Sequence, residues 1–413
     1  MFYIFSIDAC HSMGISGRWS IKWVFALLPY SIVVGPLSTL ITLEIASLRG
    51  SPVDVGYAMA AGSAAGIIAP LLWGFLLDRY GSKKVLTLGF LGSALFILAL
   101  TYAPNIPQIA LYYAASSLFS SAVGVSTSFI LIKSSSRYML NESYSILNFI
   151  SSLGYLMGDV LAAVLSGFMG IKTILLIMGL LPIVSLTWSL ISVPQVTNGE
   201  RPIIGKRLIG GWFRGVNLGE LITLYLALII FYFSSGIFNT LYPYGLRIGG
   251  LSRPWIMTII SVGMGVQIIG FMITPRTIRL LGGNARASSR ALILRGLSYF
   301  LIGLASSTPE TMIITGLTLY PLAAGIAFST FYTASSVMVF ERLGNGEEGR
   351  GLGAYSFIAG SAYLTGSLTS GYLAGSIGIN ESYMVAGAML WFSSYLFEQI
   401  HKNESMKKVL SSH

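Results

Sequence analysis

Stretches without a single charged side chain dominate this chain, and short polar interruptions separate them. They cover residues 23–43, 55–77, 85–132, 173–199, 221–246, 254–275, 311–340 and 351–380. A helix needs about 20 apolar residues to cross the ~30 Å hydrocarbon core of a bilayer, and these runs meet that length. The run 85–132 is twice as long and is cut by Pro104-Asn105-Ile106-Pro107-Gln108, a turn signal that makes it two helices. Three weaker spans complete the pattern: 144–169 with Asp159 inside it, about 290–308 with arginines at its start, and the short, aromatic 382–397. The expectation is an all-α polytopic membrane protein with twelve transmembrane helices.

Alternation of twelve spans sorts the loops onto two sides, and the basic residues follow that sorting. Of the 25 Lys and Arg, only Arg49, Lys172, Arg247 and Arg253 fall on one side. The other 21, among them Arg79, Lys83, Lys84, Arg201, Arg279 and Arg295, fall on the side of both termini. Basic loops face the cytoplasm, so both termini are expected there. The net charge of +10 belongs mainly to this bias, and no soluble stretch is large enough to hold a nucleic acid. Composition agrees with the class: 54% of residues are hydrophobic and 10% charged, against about 25% charged in soluble domains. The single Cys10 excludes a disulfide framework. No cleavable leader is read in residues 1–22, and Met13 is an alternative start.

The two halves repeat one another. A shift of 208 residues places 143–170 on 351–378 without a gap, matching Phe149 with Phe357, Tyr155 with Tyr363, Gly158 with Gly366 and Gly170 with Gly378. The same shift places Tyr112 on Tyr320 and Ser121 on Ser329. Such repeats point to two helical bundles related by an axis along the membrane normal. The segments expected are a cytoplasmic stretch 1–22, a six-helix bundle 23–194, a central cytoplasmic loop 195–219, a second six-helix bundle 220–400 and a tail 401–413.

Between the second and third spans, residues 74–84 read Gly-Phe-Leu-Leu-Asp-Arg-Tyr-Gly-Ser-Lys-Lys. The pattern of Gly74, Asp78, Arg79, Gly81, Lys83 and Lys84 resembles the loop between helices 2 and 3 of the major facilitator superfamily of transporters. Together with twelve spans, a central basic loop and two similar halves, the resemblance covers essentially the whole chain. It implies a solute cavity at mid-membrane between the halves, open alternately to each side. It also implies that the Asp78 carboxylate helps hold the cytoplasmic side closed, near the start of the eleventh span at about 350–356. Gly74 and Gly81 are expected to allow close backbone approach and positive φ. Asp78 is placed to accept hydrogen bonds from a neighbouring helix N-terminus. The matching loop of the second half keeps Gly282 but has Arg279 where the acid would fall, so the latch is expected to be asymmetric.

Asp159 is the one acid near the middle of a span. Inserting a carboxylate there costs roughly 2.5–3.5 kcal/mol, so it is either a proton-coupling or cation-binding group, or a structural acid bonded to neighbouring helices. Its repeat-mate is Ser367, so the helix fold itself does not need the charge. Glu44, at the outer end of the first span, is the second proton-coupling candidate. The resemblance assigns most of the cavity lining to helices 1, 4, 7 and 10. From these and the eighth span the substrate-cavity candidates are Tyr30, Tyr112, Tyr232, Asn239, Gln267 and Tyr332. Small polar residues also serve close helix packing, so each has a packing alternative.

Absent motifs narrow the function. No histidine lies in any span, and no Gly-x-x-x-x-Gly-Lys-Ser/Thr loop is present, which argues against a histidine proton relay and against ATP as energy source. The drug/proton antiporter branch carries an Arg-containing motif in helix 4 and a Gly-Pro motif in helix 5. Here residues 108–132 hold no Arg, and Gly154-x-x-x-Gly158-Asp159 has no Pro. The expectation is a monomeric secondary transporter in the plasma membrane, moving a small organic solute with a proton as coupling ion, export being favoured. It needs no cofactor and no metal. An uncoupled facilitator, an uptake symporter for sugars or organic anions, and a non-transporting sensor or membrane enzyme are the alternatives.

Overall fold

The computed structural model describes residues 21–134, 140–193, 218–305, 307–341 and 348–411. The N-terminal stretch with Cys10 and Met13, and most of the central basic loop with Arg201, lie outside the described residues. Every regular element among the described residues is helical. That follows from the solvent: in hydrocarbon each backbone N–H and C=O must be satisfied internally, and a helix does so within one segment.

A 3₁₀ turn, Ile21–Leu27, leads into α1 (Leu28–Ser47), followed by α2 (Pro52–Tyr80), α3 (Ser82–Thr101), α4 (Ile106–Ser134) and α5 (Leu140–Leu165). Next come α6 (Ile171–Gly179) and α7 (Leu181–Ser192), one rod interrupted just before Pro182, whose ring disfavours a helical residue ahead of it. The second series is α8 (Leu218–Ile248), α9 (Arg253–Leu280), α10 (Asn284–Ala305) and α11 (Pro309–Pro321). A single π-helical stretch, Leu322–Ala327, joins α11 to α12 (Phe328–Glu341), and α13 (Glu348–Ile377) and α14 (Ile379–Ser411) close the chain. Taking α6 with α7 and α11 with α12, nine of the described helices are long and apolar enough to cross a membrane. The helices α10, α13 and α14 fall outside that set. Of these, α10 begins six residues earlier than the expected span at 290 and so carries Arg286, Arg290 and Arg295 within the helix. Arg295 therefore does not belong to a surface loop: it is 3% exposed.

Turn chemistry repeats between the halves. Arg49 and Gly250, 201 residues apart, take φ of 59° and 96°, and Gly81 and Gly282, also 201 apart, take 84° and 83°. A positive φ at Gly81 and Gly282 costs nothing because glycine has no Cβ to clash. The first spans of each half thus align at 201, whereas the fourth and fifth align with the tenth and eleventh at 208.

Close helix contacts follow the same repeat. A Cβ on Gly158 would run into the Ile32 backbone of α1, and one on Gly366 into the Phe233 backbone of α8. Gly35 likewise lies under Tyr155, and Gly236 under Tyr363. Lipid tails are as apolar as leucine, so helices gain little by hiding from them, and small residues that let backbones touch supply the attraction instead. Tyrosines fill other glycine notches: Tyr113 of α4 against Gly62 of α2, and Tyr320 of α11 against Gly263 of α9.

The first and second series meet along two seams, α2 with α13 and α5 with α9. At the end of the bundle that carries Arg49, the first seam is tight. Cβ positions on Gly56 and Gly371 abut the Ser367 carbonyl and the Val53 backbone. The Tyr57 and Tyr372 hydroxyls are hydrogen-bonded, and the buried Tyr244 hydroxyl donates to the Gly50 carbonyl at 2.8 Å.

Candidate functional site

The turn with the charged pattern lies at the opposite end of the bundle. Gly81 takes the left-handed conformation that lets α2 end and α3 begin within one residue. Lys83 donates to the Leu190 carbonyl at 2.7 Å, in the last turn of α7, where a cation suits the negative end of the helix. The Arg79 guanidinium lies over the Tyr80 ring at 5.4 Å. Asp78 is half-buried. Gly74, expected at a close approach or a positive φ, has neither: it lies inside α2, and a Cβ there would meet no described atom within 4 Å.

Toward the middle of the bundle, aromatic side chains from both series converge. On α8, Tyr225, Tyr232 and Asn239 recur every seven residues, about two helical turns, and so share one stripe. The Tyr232 hydroxyl shares a 2.7 Å hydrogen bond with Tyr355 of α13. Asn239 is exposed although its neighbours along α8 are buried, and its amide lies against the Tyr363 hydroxyl of α13. Tyr363 in turn is within electrostatic reach of Tyr113 from α4, so the first series contributes to the same wall. Tyr332 of α12, 42% exposed, stacks on Phe328 at 5.6 Å.

Two ionisable side chains are buried against this wall. Asp159 of α5 is 1% exposed, its Oδ1 has no hydrogen-bond partner among the described residues, and Tyr320 lies within reach of its charge. Arg295 of α10 is within reach of Tyr320, Tyr232 and Tyr363. Among the described residues Asp159 and Arg295 form no ion pair; the pair that does form is Lys172 with Glu44, at 4.0 Å. Ser47 also donates to the Glu44 carboxylate, at 3.3 Å. Glu44 is thus a buried, partnered acid and not one that reaches water.

With this arrangement in view, the sequence matches the family model described as Major Facilitator Superfamily over residues 23–320. The chain belongs to the major facilitator superfamily. A curated relative, the "Major facilitator superfamily multidrug transporter mfsB" of Aspergillus fumigatus, is 28% identical over 98 residues, 24% of this chain. That match spans only 16% of the relative's length. Among solved structures, the nucleoside transporter NupG superposes with a TM-score of 0.72 at 13% identity, covering 92% of this chain and 98% of that one. A bacterial homologue of the human lysosomal transporter Spinster gives 0.73 at 11% identity, covering 92% and 96%. A D-xylose–proton symporter gives 0.69 at 13%, covering 91% and 95%. At such identities the likeness is one of fold. Family and fold together make this a multi-pass membrane protein of a transporter family.

Within the superfamily fold, the expected cavity residues separate into two groups. Tyr232, Asn239 and Tyr332 lie at or beside the tyrosine wall. Gln267 is half-buried on α9, where its backbone nitrogen backs onto Gly325 of the π-helical stretch. Tyr30 turns instead into the first series, its ring 5.2 Å from Phe90 and its hydroxyl against Ser93 and Ser120. Tyr112 faces Phe96 of α3, at 6.4 Å; its neighbour Tyr113 is the residue that reaches the wall. Arg295, Tyr355 and Tyr363 were not expected at the site. The shift that matches Tyr155 with Tyr363 was the available signal for one of them.

Proposed function

We propose that the chain is a secondary transporter of a small organic solute, working by alternating access between two six-helix halves, with Asp159 as the proton-coupling group. The observation that carries this reading is the Asp159 carboxylate, its Oδ1 without a hydrogen-bond partner among the described residues, buried where α5 of one series meets the other beside Tyr320. A structural acid would be expected to hold neighbouring hydrogen-bond donors, because an unsatisfied buried charge is costly. One that exchanges a proton during the cycle has reason to be left without them.

In this reading the halves are residues 23–194 and 220–400, crossed by twelve spans, with both termini in the cytoplasm of a plasma-membrane monomer. The Arg49 end faces outward and is the closed end. The Asp78 turn is the cytoplasmic latch, and Arg279 in the matching turn makes the latch one-sided. Export is the favoured direction.

Solute-driven proton movement into or out of proteoliposomes tests the reading. A proton signal with at least one solute of a metabolite panel supports coupling. Solute flux without proton movement would make the protein an uncoupled facilitator, and no flux with any solute would remove transport altogether. Two substitutions bear on the parts. Asp78→Ala is expected to slow transport roughly tenfold, about 1.4 kcal/mol of barrier, while KM stays within a few-fold, because the latch gates and does not bind. Glu44→Gln is expected to leave the pH dependence of transport unchanged, since Lys172 and Ser47 already hold that carboxylate.

A further inference from the structure

The Arg295 guanidinium is a buried charge that forms no ion pair among the described residues. It lies midway along α10, eleven residues from Asn284, or roughly 16 Å at 1.5 Å per residue. Its Nε donates to the Tyr299 hydroxyl at 2.8 Å, and its carbon sits 5.1, 5.2 and 5.3 Å from the ring centres of Phe231, Tyr299 and Phe328. These rings offset part of the cost of desolvation. Among the described residues no carboxylate pairs with it, and its Nη1 is buried without an acceptor. Guanidinium stays protonated in proteins, so it cannot escape the cost by losing its charge.

The neighbouring atoms without a hydrogen-bond partner among the described residues are hydroxyls, which can donate to an anion as well as accept. The Tyr242 hydroxyl is buried without a partner, on a ring stacked 4.7 Å from Tyr320. Ser235 Oγ lies beside the Tyr299 hydroxyl. A continuous column of rings, Tyr299 on Phe238 at 3.6 Å, Phe238 on Tyr242 at 4.9 Å and then Tyr320, joins Arg295 to the tyrosine wall. The adjoining backbone is the π-helical stretch Leu322–Ala327, a distortion found mostly at functional positions.

We infer that Arg295, backed by this column, is the subsite for the acidic group of an organic anion whose apolar or aromatic body rests on the tyrosine wall. This rests on the transport reading and adds to it the charge class of the solute. An arriving carboxylate supplies the acceptor that Nη1 lacks and converts an unpaired buried cation into a charge-assisted hydrogen bond. Asp159 then remains free to carry the proton, and it disfavours a second negative group on the solute.

The test uses full-length protein purified in detergent and one phenyl body with four charge states: hydrocinnamate, hydrocinnamamide, phenylpropylamine and phenylalanine. Hydrocinnamate is expected to raise the unfolding midpoint saturably, by roughly 2–4 °C, with the amide and the amine ineffective. Arg295→Gln should abolish that shift and Arg295→Lys should retain part of it. Ligand-free Arg295→Met should be at least as stable as the parent, because removing an unpaired buried charge relieves a cost. Equal shifts from the amine or amide, a shift that survives in Arg295→Gln, or no shift with any probe would overturn the assignment. Stronger binding of phenylalanine than of hydrocinnamate would also overturn it, in favour of a zwitterion spanning Arg295 and Asp159. Flux measurements remain a separate readout: transport of uncharged solutes without hydrocinnamate binding leaves the transporter standing and removes only the anion subsite.

Discussion

Asp159→Asn should abolish solute-driven proton movement in proteoliposomes while solute exchange down a gradient continues. The carboxamide keeps the size and polarity of the side chain and removes its ability to take up a proton. Position 159 is 1% exposed and its Oδ1 has no partner, so the substitution breaks no hydrogen bond at that atom. Stability should therefore change little, or rise, since the cost of holding a carboxylate in the membrane disappears. The expected signature is a rate that no longer varies with pH, with coupled flux lowered by roughly a hundredfold, about 2.7 kcal/mol. An unchanged rate with unchanged pH dependence would make Asp159 structural and remove it from coupling.

The second large effect is on folding. Gly158→Leu and Gly366→Leu should each prevent accumulation of folded protein, because the new side chain meets backbone and not a flexible side-chain end. Gly158 faces the Ile32 carbonyl and Pro36, and Gly366 the Phe233 backbone. Overpacking ordinarily costs about 1–3 kcal/mol, and a clash with a neighbouring helix axis belongs at or above the top of that range. Gly375 supplies the contrast: a Cβ there meets no described atom within 4 Å, so Gly375→Ala should be neutral or stabilising by up to about 1 kcal/mol. Yield and unfolding midpoint of the three variants in one detergent decide this. Equal behaviour of Gly158→Leu and Gly375→Ala would mean that the close helix contacts carry no weight.

Much of the fold could be read from the chain, because in a bilayer length and charge say almost everything about where a helix can lie. The uncharged runs anticipated most helices, and the 208-residue repeat matched Gly158 with Gly366, which make equivalent close contacts. The spans with compromised hydropathy were harder. Arginines near a helix start read as loop residues, so Arg295 was assigned to a surface it does not occupy; its three aromatic neighbours come from α8, α10 and α12 and are far apart in sequence. Likewise, choosing Tyr112 over Tyr113 needed the rotation of α4 about its own axis, which uncharged residues on every face leave undefined. The pairing of Glu44 could not be read locally because Lys172, its partner, arrives from α6, well over a hundred residues later. Asp159 could be singled out as a candidate for the opposite reason: it is the one acid near the middle of a span.

The central claim is that the closed Arg49 end opens as the two halves move. It can be measured without knowing the solute. Spin labels at Tyr102→Cys and Leu304→Cys, in a Cys10→Ser background, sit on exposed positions of the two series at that end. Pulsed electron resonance in lipid nanodiscs then reports the distance between them. Alternating access predicts two distance populations whose ratio shifts between acid and neutral pH, and a shift that Asp159→Asn removes. A single distance under every condition would contradict it.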